Sequence, residues 1–165
     1  MTFMSWRKDY EVGVPQIDAE HHRLFDLINE FHDTFVRGEA RNDVARVLNR
    51  LVAYAEEHFQ HEEQLMSDNG YPQLDMHKAL HHELVLSIFA INERLAAAAV
   101  KTSTETVQFL KNWLLDHILQ HDMDIGDFLR RKNKQASKID RDQAAAPKKE
   151  VPSECADKQR SDKAQ

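Results

Sequence analysis

The sequence feature that most constrains this fold is an apolar stripe, followed in helical steps of three and four, that contains two titratable residues. Its only polar members are His58 and Glu62. The complete stripe is Val44, Leu48, Leu51, Ala55, His58, Glu62 and Leu65. Burying an unpaired carboxylate or imidazole costs several kcal/mol, and a metal ion bound by both groups would offset that cost. We therefore expect a helix whose core face contributes ligands to a metal site.

Three further segments show the same pattern of an apolar stripe interrupted by histidine. The first contains His21, the next contains the i, i+4 pair His77 and His81, and the last contains His117. Side chains at i and i+4 lie on one helical face, so the pair can reach one ion. The four predicted helices run from about Asp18, a suitable N-cap, to Val36 or Arg37; from Asn42 or Asp43 to Met66; from Gln73 to Ala99; and from Thr102 or Ser103 to Arg131.

The fourth helix has an ambiguous register after His117. Regular continuation passes through His121, whereas one extra residue brings Asp122 onto the stripe, followed by Ile125 and Leu129. The shifted register is the more apolar of the two. On a straight α-helix His117 and Asp122 would lie about 140° apart. If both contribute to one site, we therefore expect a local π-type bulge between them.

The composition favours an all-α fold. The chain has only four glycines and four prolines and no sustained alternation of polar and β-branched residues. We expect residues 1–131 to form one domain, an antiparallel up-down-up-down four-helix bundle. Residues 1–17 have large apolar side chains without a helical period, which predicts an extended arm packed on the bundle. Residues 132–165 have almost none, which predicts a disordered or only weakly helical polar tail.

Charge and cysteine content exclude several classes of protein. Residues 132–165 carry nine basic and six acidic side chains, a charge of +3. Because the net charge of the chain is −6, residues 1–131 carry a charge of −9. A domain that acidic is a poor nucleic-acid binder. The single cysteine, Cys155, excludes an intramolecular disulfide and suits a reducing compartment, so we expect a cytoplasmic protein. Neither a signal peptide nor a membrane span is visible.

The types of candidate ligand narrow the choice of metal. Five imidazoles and two carboxylates are too many donors for one tetrahedral zinc ion and too rich in nitrogen for calcium or magnesium. They suit two adjacent octahedral ions bridged by the carboxylates, which points to iron ahead of manganese. Three imidazoles on one ion and two on the other leave a vacancy for a small molecule. Neither Glu-x-x-His nor His-Glu-x-x-His occurs, which removes ferritin-like and zinc-protease sites.

These residues resemble the hemerythrin family, specifically its bacterial single-domain members, over about residues 6–131. The resemblance favours His21 over His22 and Asp122 over His121. The matching motifs are the arm with Trp6 and Tyr10-Glu11-Val12-Gly13-Val14, then Ile17-Asp18-Ala19-Glu20-His21, His58-Phe59-x-x-Glu62-Glu63-x-Leu65-Met66, His77-x-x-x-His81 and Trp113-Leu114-x-x-His117-Ile118-x-x-x-Asp122. The tail lies outside the family pattern.

The resemblance implies two iron ions per chain. It implies that His77, His81 and His117 hold one iron and that His21 and His58 hold the other. Glu62, Asp122 and an oxo or hydroxo group would bridge the two ions. Apolar residues beside the ligands would form the pocket for dioxygen and keep water out of it. These residues are Leu24, Phe25, Phe59, Trp113 and Leu114.

The function implied by the resemblance is reversible dioxygen binding by a monomer that is not an enzyme. It would serve oxygen transport, storage or delivery to an oxygen-consuming partner protein. Two alternatives use the same site. One is a sensor of oxygen, nitric oxide or iron, and the other is a di-iron reductase of peroxide or nitric oxide.

Overall fold

The computed structural model describes residues 2–96 and 104–145, and the described residues up to Lys132 form an antiparallel four-helix bundle. The first three helices are α1 (Pro15–Val36), α2 (Arg41–Asn69) and α3 (Leu74–Ala96). The fourth consists of α4 (Thr104–His117), a π-helical segment (Ile118–Asp122) and α5 (Met123–Ala145). Helix α1 packs against α2 and α4, and α2 packs against α3. The described residues contain no strand, so the all-α prediction is confirmed.

Helix α1 begins three residues earlier than predicted, and Asp18 is not its N-cap. The cap residue is Val14, and Pro15 occupies the first turn, where its missing N–H requires no acceptor. The carboxylate of Asp18 instead accepts hydrogen bonds from the backbone N–H groups of Val12 and Gly13, at 2.6 and 3.0 Å. Asp18 therefore fixes the arm that precedes the helix.

The N-terminal arm packs on the bundle, as predicted, and contains one short 3₁₀ turn at Lys8–Tyr10. Near its start, Met4 is buried and exchanges two hydrogen bonds with the side-chain amide of Asn29. Near its end, Val12 is 1% exposed and lies directly on Gly126 of α5. A Cβ atom at position 126 would lie 2.2 Å from the Val12 carbonyl oxygen, so only glycine allows this close approach.

The second and fourth helices end later than predicted. Helix α2 continues to Asn69, where Gly70 adopts a left-handed conformation with φ 68° and Tyr71 N–H donates to the Met66 carbonyl. Helix α5 continues past the expected end at Arg131 to Ala145, with exposed side chains over residues 132–141. Lys, Gln, Ala and Arg favour this extension, and no glycine or proline interrupts it. The rest of the predicted tail, residues 146–165, lies outside the described residues.

The core is divided into two clusters of apolar side chains. The larger cluster includes Leu51, Ala55 and Phe59 of α2, and the smaller one includes Met66 of the same helix. Along α2 the polar stripe residues His58 and Glu62 therefore lie where one cluster gives way to the other. Among the described helices, none combines the length and apolar content needed to cross a bilayer.

Candidate metal centre

The seven predicted ligands come together inside the bundle. Each of them is at most 4% exposed, and they come from all four helices. They are His21 of α1, His58 and Glu62 of α2, His77 and His81 of α3, His117 of α4 and Asp122 of the π-helical segment. Charged and imidazole side chains are rarely buried to this degree unless they are paired or coordinate a metal.

Glu62 lies between two groups of candidate ligands. In the first group Glu62, His77, His81 and His117 each offer a ligand atom, and these atoms all lie within 4.8 Å of one another. In the second group the ligand atoms of His21, His58 and Glu62 also lie within 4.8 Å of one another. Because Glu62 belongs to both groups, its two oxygens are placed to serve two neighbouring ions.

Asp122 makes a second link between the two groups. Its carboxylate oxygens lie 3.1 Å from Nε2 of His117 and 3.4 Å from Nε2 of His77, both in the first group. They also lie 3.2 Å from Nε2 of His21, in the second group. The structure thus places two carboxylates, one on α2 and one in the fourth helix, between a set of three imidazoles and a set of two.

The π-helical segment explains how Asp122 reaches this position. Residues 118–122 form the predicted π-type turn, so this prediction is confirmed. The wider turn brings Asp122, with 0% exposure, onto the same face as His117. The alternative ligand, His121, is partly exposed, and its ring centroid lies 5.5 Å from that of His117. It belongs to neither group of candidate ligands.

Although imidazole nitrogens lie 3.1–3.4 Å from the oxygens of Asp122, seven buried nitrogen and oxygen atoms of this cluster have no partner with the geometry of a hydrogen bond. They are both ring nitrogens of His21, both oxygens of Glu62, Nε2 of His77 and both oxygens of Asp122. Leaving one such atom unsatisfied costs about 1–3 kcal/mol. A concentration of this kind in a native core requires an explanation. Imidazole and carboxylate donors are ligands that iron accepts, so the residues present fit a pair of iron ions.

The electrostatics of the cluster also favour a bound cation. Burial raises the pKa of Glu62, but the surrounding imidazoles, His58 foremost, hold that pKa well below its usual range. Burial and the Glu62 carboxylate raise the pKa of Asp122, whereas His117 and His21 lower it, to a net value of about 2. Both carboxyl groups are therefore anionic at neutral pH. Two adjacent buried anions need compensating positive charge.

Two carboxylates that are not candidate ligands lie within hydrogen-bond distance of Nδ1 in the rings of His58 and His81. Nδ1 of His58 lies 3.0 Å from Oε2 of Glu20, and Nδ1 of His81 lies 3.1 Å from Oε1 of Glu63. Burial raises the pKa of Glu20, but hydrogen bonds, that of His58 foremost, lower it below its usual range. Both outer groups are carboxylates of the kind that orient metal-bound histidines.

Sequence reasoning missed the roles of Glu20 and Glu63. Each immediately neighbours a candidate ligand, because Glu20 precedes His21 and Glu63 follows Glu62. The available signal was that a metal-bound imidazole needs an acceptor for its other nitrogen. That signal does not say which of many surface carboxylates is the acceptor, because each hydrogen bond joins two different helices.

Aromatic rings cover two of the candidate ligands. Phe59 stacks on His81 with a centroid distance of 3.9 Å and an interplanar angle of 11°. Trp113 stacks on His117 at 4.6 Å and 14°. These contacts restrict the rotation of both imidazoles. Neither was distinguishable from ordinary core packing in the sequence.

A small apolar cavity of about 20 Å³ lies against two of these rings, because Phe59 and Trp113 both line it. Four of the five residues predicted to form a ligand pocket line it: Leu24, Phe59, Trp113 and Leu114. Six more apolar residues complete the lining: Ile28, Leu51, Ala55, Leu84, Ile88 and Leu110. The fifth predicted residue, Phe25, is buried but is not part of the lining. Its ring instead lies 5.1 Å from that of Trp6 and 5.7 Å from that of Tyr10.

Comparisons with known proteins agree with this geometry. The family model described as the hemerythrin HHE cation binding domain matches residues 12–129. Bacteriohemerythrin from Methylococcus capsulatus is 31% identical over 119 residues, which are 72% of this chain and 90% of that protein. Bacteriohemerythrin from Pseudomonas aeruginosa is 32% identical over 130 residues, which are 79% of this chain and 84% of that protein. A crystal structure of wild-type hemerythrin superposes with a TM-score of 0.73 at 30% identity, covering 77% of this chain and 98% of that one.

Proposed function

Because this chain belongs to the hemerythrin family of non-haem di-iron, oxygen-binding proteins, we propose that it binds dioxygen reversibly at a pair of iron ions inside the bundle. The observation that carries the proposal is a buried set of seven iron-compatible donors, two of which, His81 and His117, stack on aromatic rings that line a small apolar cavity. The donors supply a place for metal, and the cavity supplies a place for a small apolar gas.

The two groups of donors support a division of the ligands between two ions. His77, His81 and His117 would hold one iron, and His21 and His58 the other. Glu62 and Asp122 would bridge the ions, as would an oxo or hydroxo group. Glu62 belongs to both groups, and Asp122 approaches imidazoles of both. When bound, the iron pair would supply the redox chemistry through which dioxygen is held and released.

The chain's own residues would control access to this centre. The cavity lining is apolar, so water gains no hydrogen bonds there, whereas dioxygen needs none. A cavity of about 20 Å³ exceeds the roughly 10–15 Å³ needed by one water-sized molecule. Phe59 and Trp113 both line the cavity and stack on ligand imidazoles. They would keep water away from the metal side of the pocket and so slow irreversible oxidation.

Reversible binding suits transport, storage or delivery of dioxygen to an oxygen-consuming partner protein. The test is the iron content and the visible absorption spectrum of the reduced protein, recorded before air, after air and again after removal of oxygen. We expect two irons per chain and an oxygen-dependent charge-transfer band that disappears on deoxygenation. Rapid, irreversible oxidation would point instead to sensing or to reduction of peroxide or nitric oxide. Absence of iron would refute the site.

A matched pair of variants on α3 controls this experiment. His81→Ala removes a buried candidate ligand, and His82→Ala removes its exposed neighbour on the same helix. We expect loss of bound iron and of the oxygen-dependent band only in the first variant. Equal loss in both would mean that the band does not report on the proposed centre.

A further inference from the structure

Two of the five candidate imidazole ligands are held by carboxylates that belong to neither group of ligands. These pairs are His58 with Glu20 and His81 with Glu63. Each bond joins neighbouring helices, α2 to α1 in the first pair and α3 to α2 in the second. Both imidazoles are almost fully buried, whereas the carboxylates are 13% and 23% exposed.

The chemistry of each pair determines which ring nitrogen is free to bind metal. An ionised carboxylate only accepts hydrogen bonds, so Nδ1 of the imidazole carries the hydrogen and donates it. The lone pair then lies on Nε2. In both residues Nε2 faces the bridging carboxylate, at 3.8 Å for His58 and 3.3 Å for His81 from Oε2 of Glu62. The outer carboxylates therefore select the tautomer that directs a lone pair at the centre.

The two pairs are divided between the two groups of ligands. His58 lies in the group with His21, and His81 lies in the group with His77 and His117. We propose that Glu20 and Glu63 are positioning residues that each serve one metal ion, so that the two ions can be weakened separately. This inference rests on the proposed di-iron function and adds to it the residues that stabilise each half of the centre.

The surroundings of the two carboxylates differ. Glu20 also accepts hydrogen bonds through Oε1, from Nδ1 of His61 at 2.8 Å and from the Gln16 amide at 3.0 Å. These bonds fix both of its oxygens. The second oxygen of Glu63, Oε2, lies 3.5 Å from Nζ of Lys78.

Solvent access also differs, because Glu63 and Lys78 line an open groove of about 310 Å³ between α2 and α3. Water in the groove can replace part of the interaction that Glu63 supplies. We therefore expect removal of Glu20 to have the larger effect.

Zinc(II) binding tests the proposal without dioxygen or redox chemistry. The unaltered chain and the variants Glu20→Ala, Glu20→Gln, Glu63→Ala and Glu63→Gln are titrated with zinc(II) against a competing chelator. Loss of an outer partner typically weakens metal binding about 10–100-fold. We expect that loss for one of the two zinc ions in each alanine variant. The glutamine variants should recover part of it, because the amide oxygen still accepts from Nδ1–H. Glu57→Gln, at an exposed position of α2, controls for the change in net charge.

NMR identifies which ion is weakened. In long-range ¹H–¹⁵N spectra at one to two equivalents of zinc(II), Glu20→Ala should lose the metal-induced shifts of His21 and His58 and keep those of the other three imidazoles. Glu63→Ala should show the reverse. Circular dichroism verifies that each variant is folded.

The outcomes of these measurements distinguish the positioning roles of Glu20 and Glu63, the division into two halves and the di-metal site itself. Two zinc ions with unchanged affinities and tautomers in the Glu20 and Glu63 variants would refute the positioning roles and leave the di-iron proposal standing. Equal weakening of both ions in either alanine variant would refute the division into separate halves. Fewer than two zinc ions on the unaltered chain would refute the di-metal site, and with it both proposals.

Discussion

Removal of the Phe59 ring is the most informative single perturbation of this centre. The side chain is 4% exposed, stacks on His81 at 3.9 Å and lines the apolar cavity. Phe59→Ala therefore does two things at once. It enlarges the cavity, and it removes the flat surface that holds one candidate ligand in its plane.

The expected loss of stability follows from burial and stacking. A phenylalanine side chain buries about 150–250 Å², which at about 25 cal/mol per Å² corresponds to about 4–6 kcal/mol. Truncations of buried phenylalanine to alanine typically cost about 3–5 kcal/mol, and the aromatic stack contributes about 0.5–1.5 kcal/mol. We expect Phe59→Ala to lower the free energy of unfolding by about 4–5 kcal/mol. Phe59→Leu, which nearly conserves volume, should lower it by about 1–2 kcal/mol.

The assay has two parts. Urea unfolding of the metal-free protein gives the free energy of unfolding, and transfer of bound iron to a chelator gives the rate of metal loss. Leu110→Ala is the matched control, because Leu110 lines the same cavity but lies two helical turns from His117. Its stability should fall by about 2–5 kcal/mol. Iron release should accelerate in both Phe59 variants and stay near the original rate in Leu110→Ala.

Two results would contradict this reasoning. If Phe59→Ala and Leu110→Ala released iron at the same rate, the stack on His81 would have no specific role. If Phe59→Leu were as unstable as Phe59→Ala, lost volume would not be the main source of the destabilisation.

Three further predictions concern the arm and the metal. Gly126→Ala should lower the free energy of unfolding, measured in urea, by about 1–3 kcal/mol, because the new methyl would lie 2.2 Å from the Val12 carbonyl oxygen. This clash should outweigh the helix preference of alanine, which is about 1 kcal/mol. A stabilised variant would contradict this prediction. Asp18→Ala should accelerate amide hydrogen exchange at Val12, because the N–H of Val12 loses its acceptor. Unchanged exchange at Val12 would show that this hydrogen bond is not needed to hold the arm. Removing iron with a chelator should lower the unfolding free energy by about 4 kcal/mol for each ion that was bound at a free concentration 1,000 times its Kd, because Glu62 and Asp122 then lack a cation. An unchanged melting temperature would mean that neither carboxylate binds metal.

The π-helical segment could be predicted from the sequence. The apolar residues after His117 follow a register shifted by one position, and Asp122 falls on the stripe only in that register. Because the apolar pattern of the sequence itself shows this shift, the wider turn at 118–122 could be predicted. That Asp122 binds iron there stays a prediction, supported by its burial and its distances to three imidazoles.

Helix ends were harder to predict than helix faces. Asp18 has the chemistry of an N-cap, but its carboxylate binds the arm, and the helix begins at Pro15. Either arrangement satisfies backbone N–H groups. The local sequence does not decide between them, because the choice depends on where the arm packs, and at Val12 it packs against Gly126, which is distant in the sequence.

The sequence alone determined which side chains face the core, and with the family resemblance, which favoured His21 over His22 and Asp122 over His121, it determined the seven candidate ligands. A helix repeats every 3.6 residues, and a buried titratable group is costly wherever it occurs, so both signals are local. Tertiary structure decided what lies between the helices: the acceptors Glu20 and Glu63, the stacks on His81 and His117, and the apolar cavity. These contacts depend on the rotation and relative height of one helix against another, which periodicity leaves open and close packing of the bundle determines.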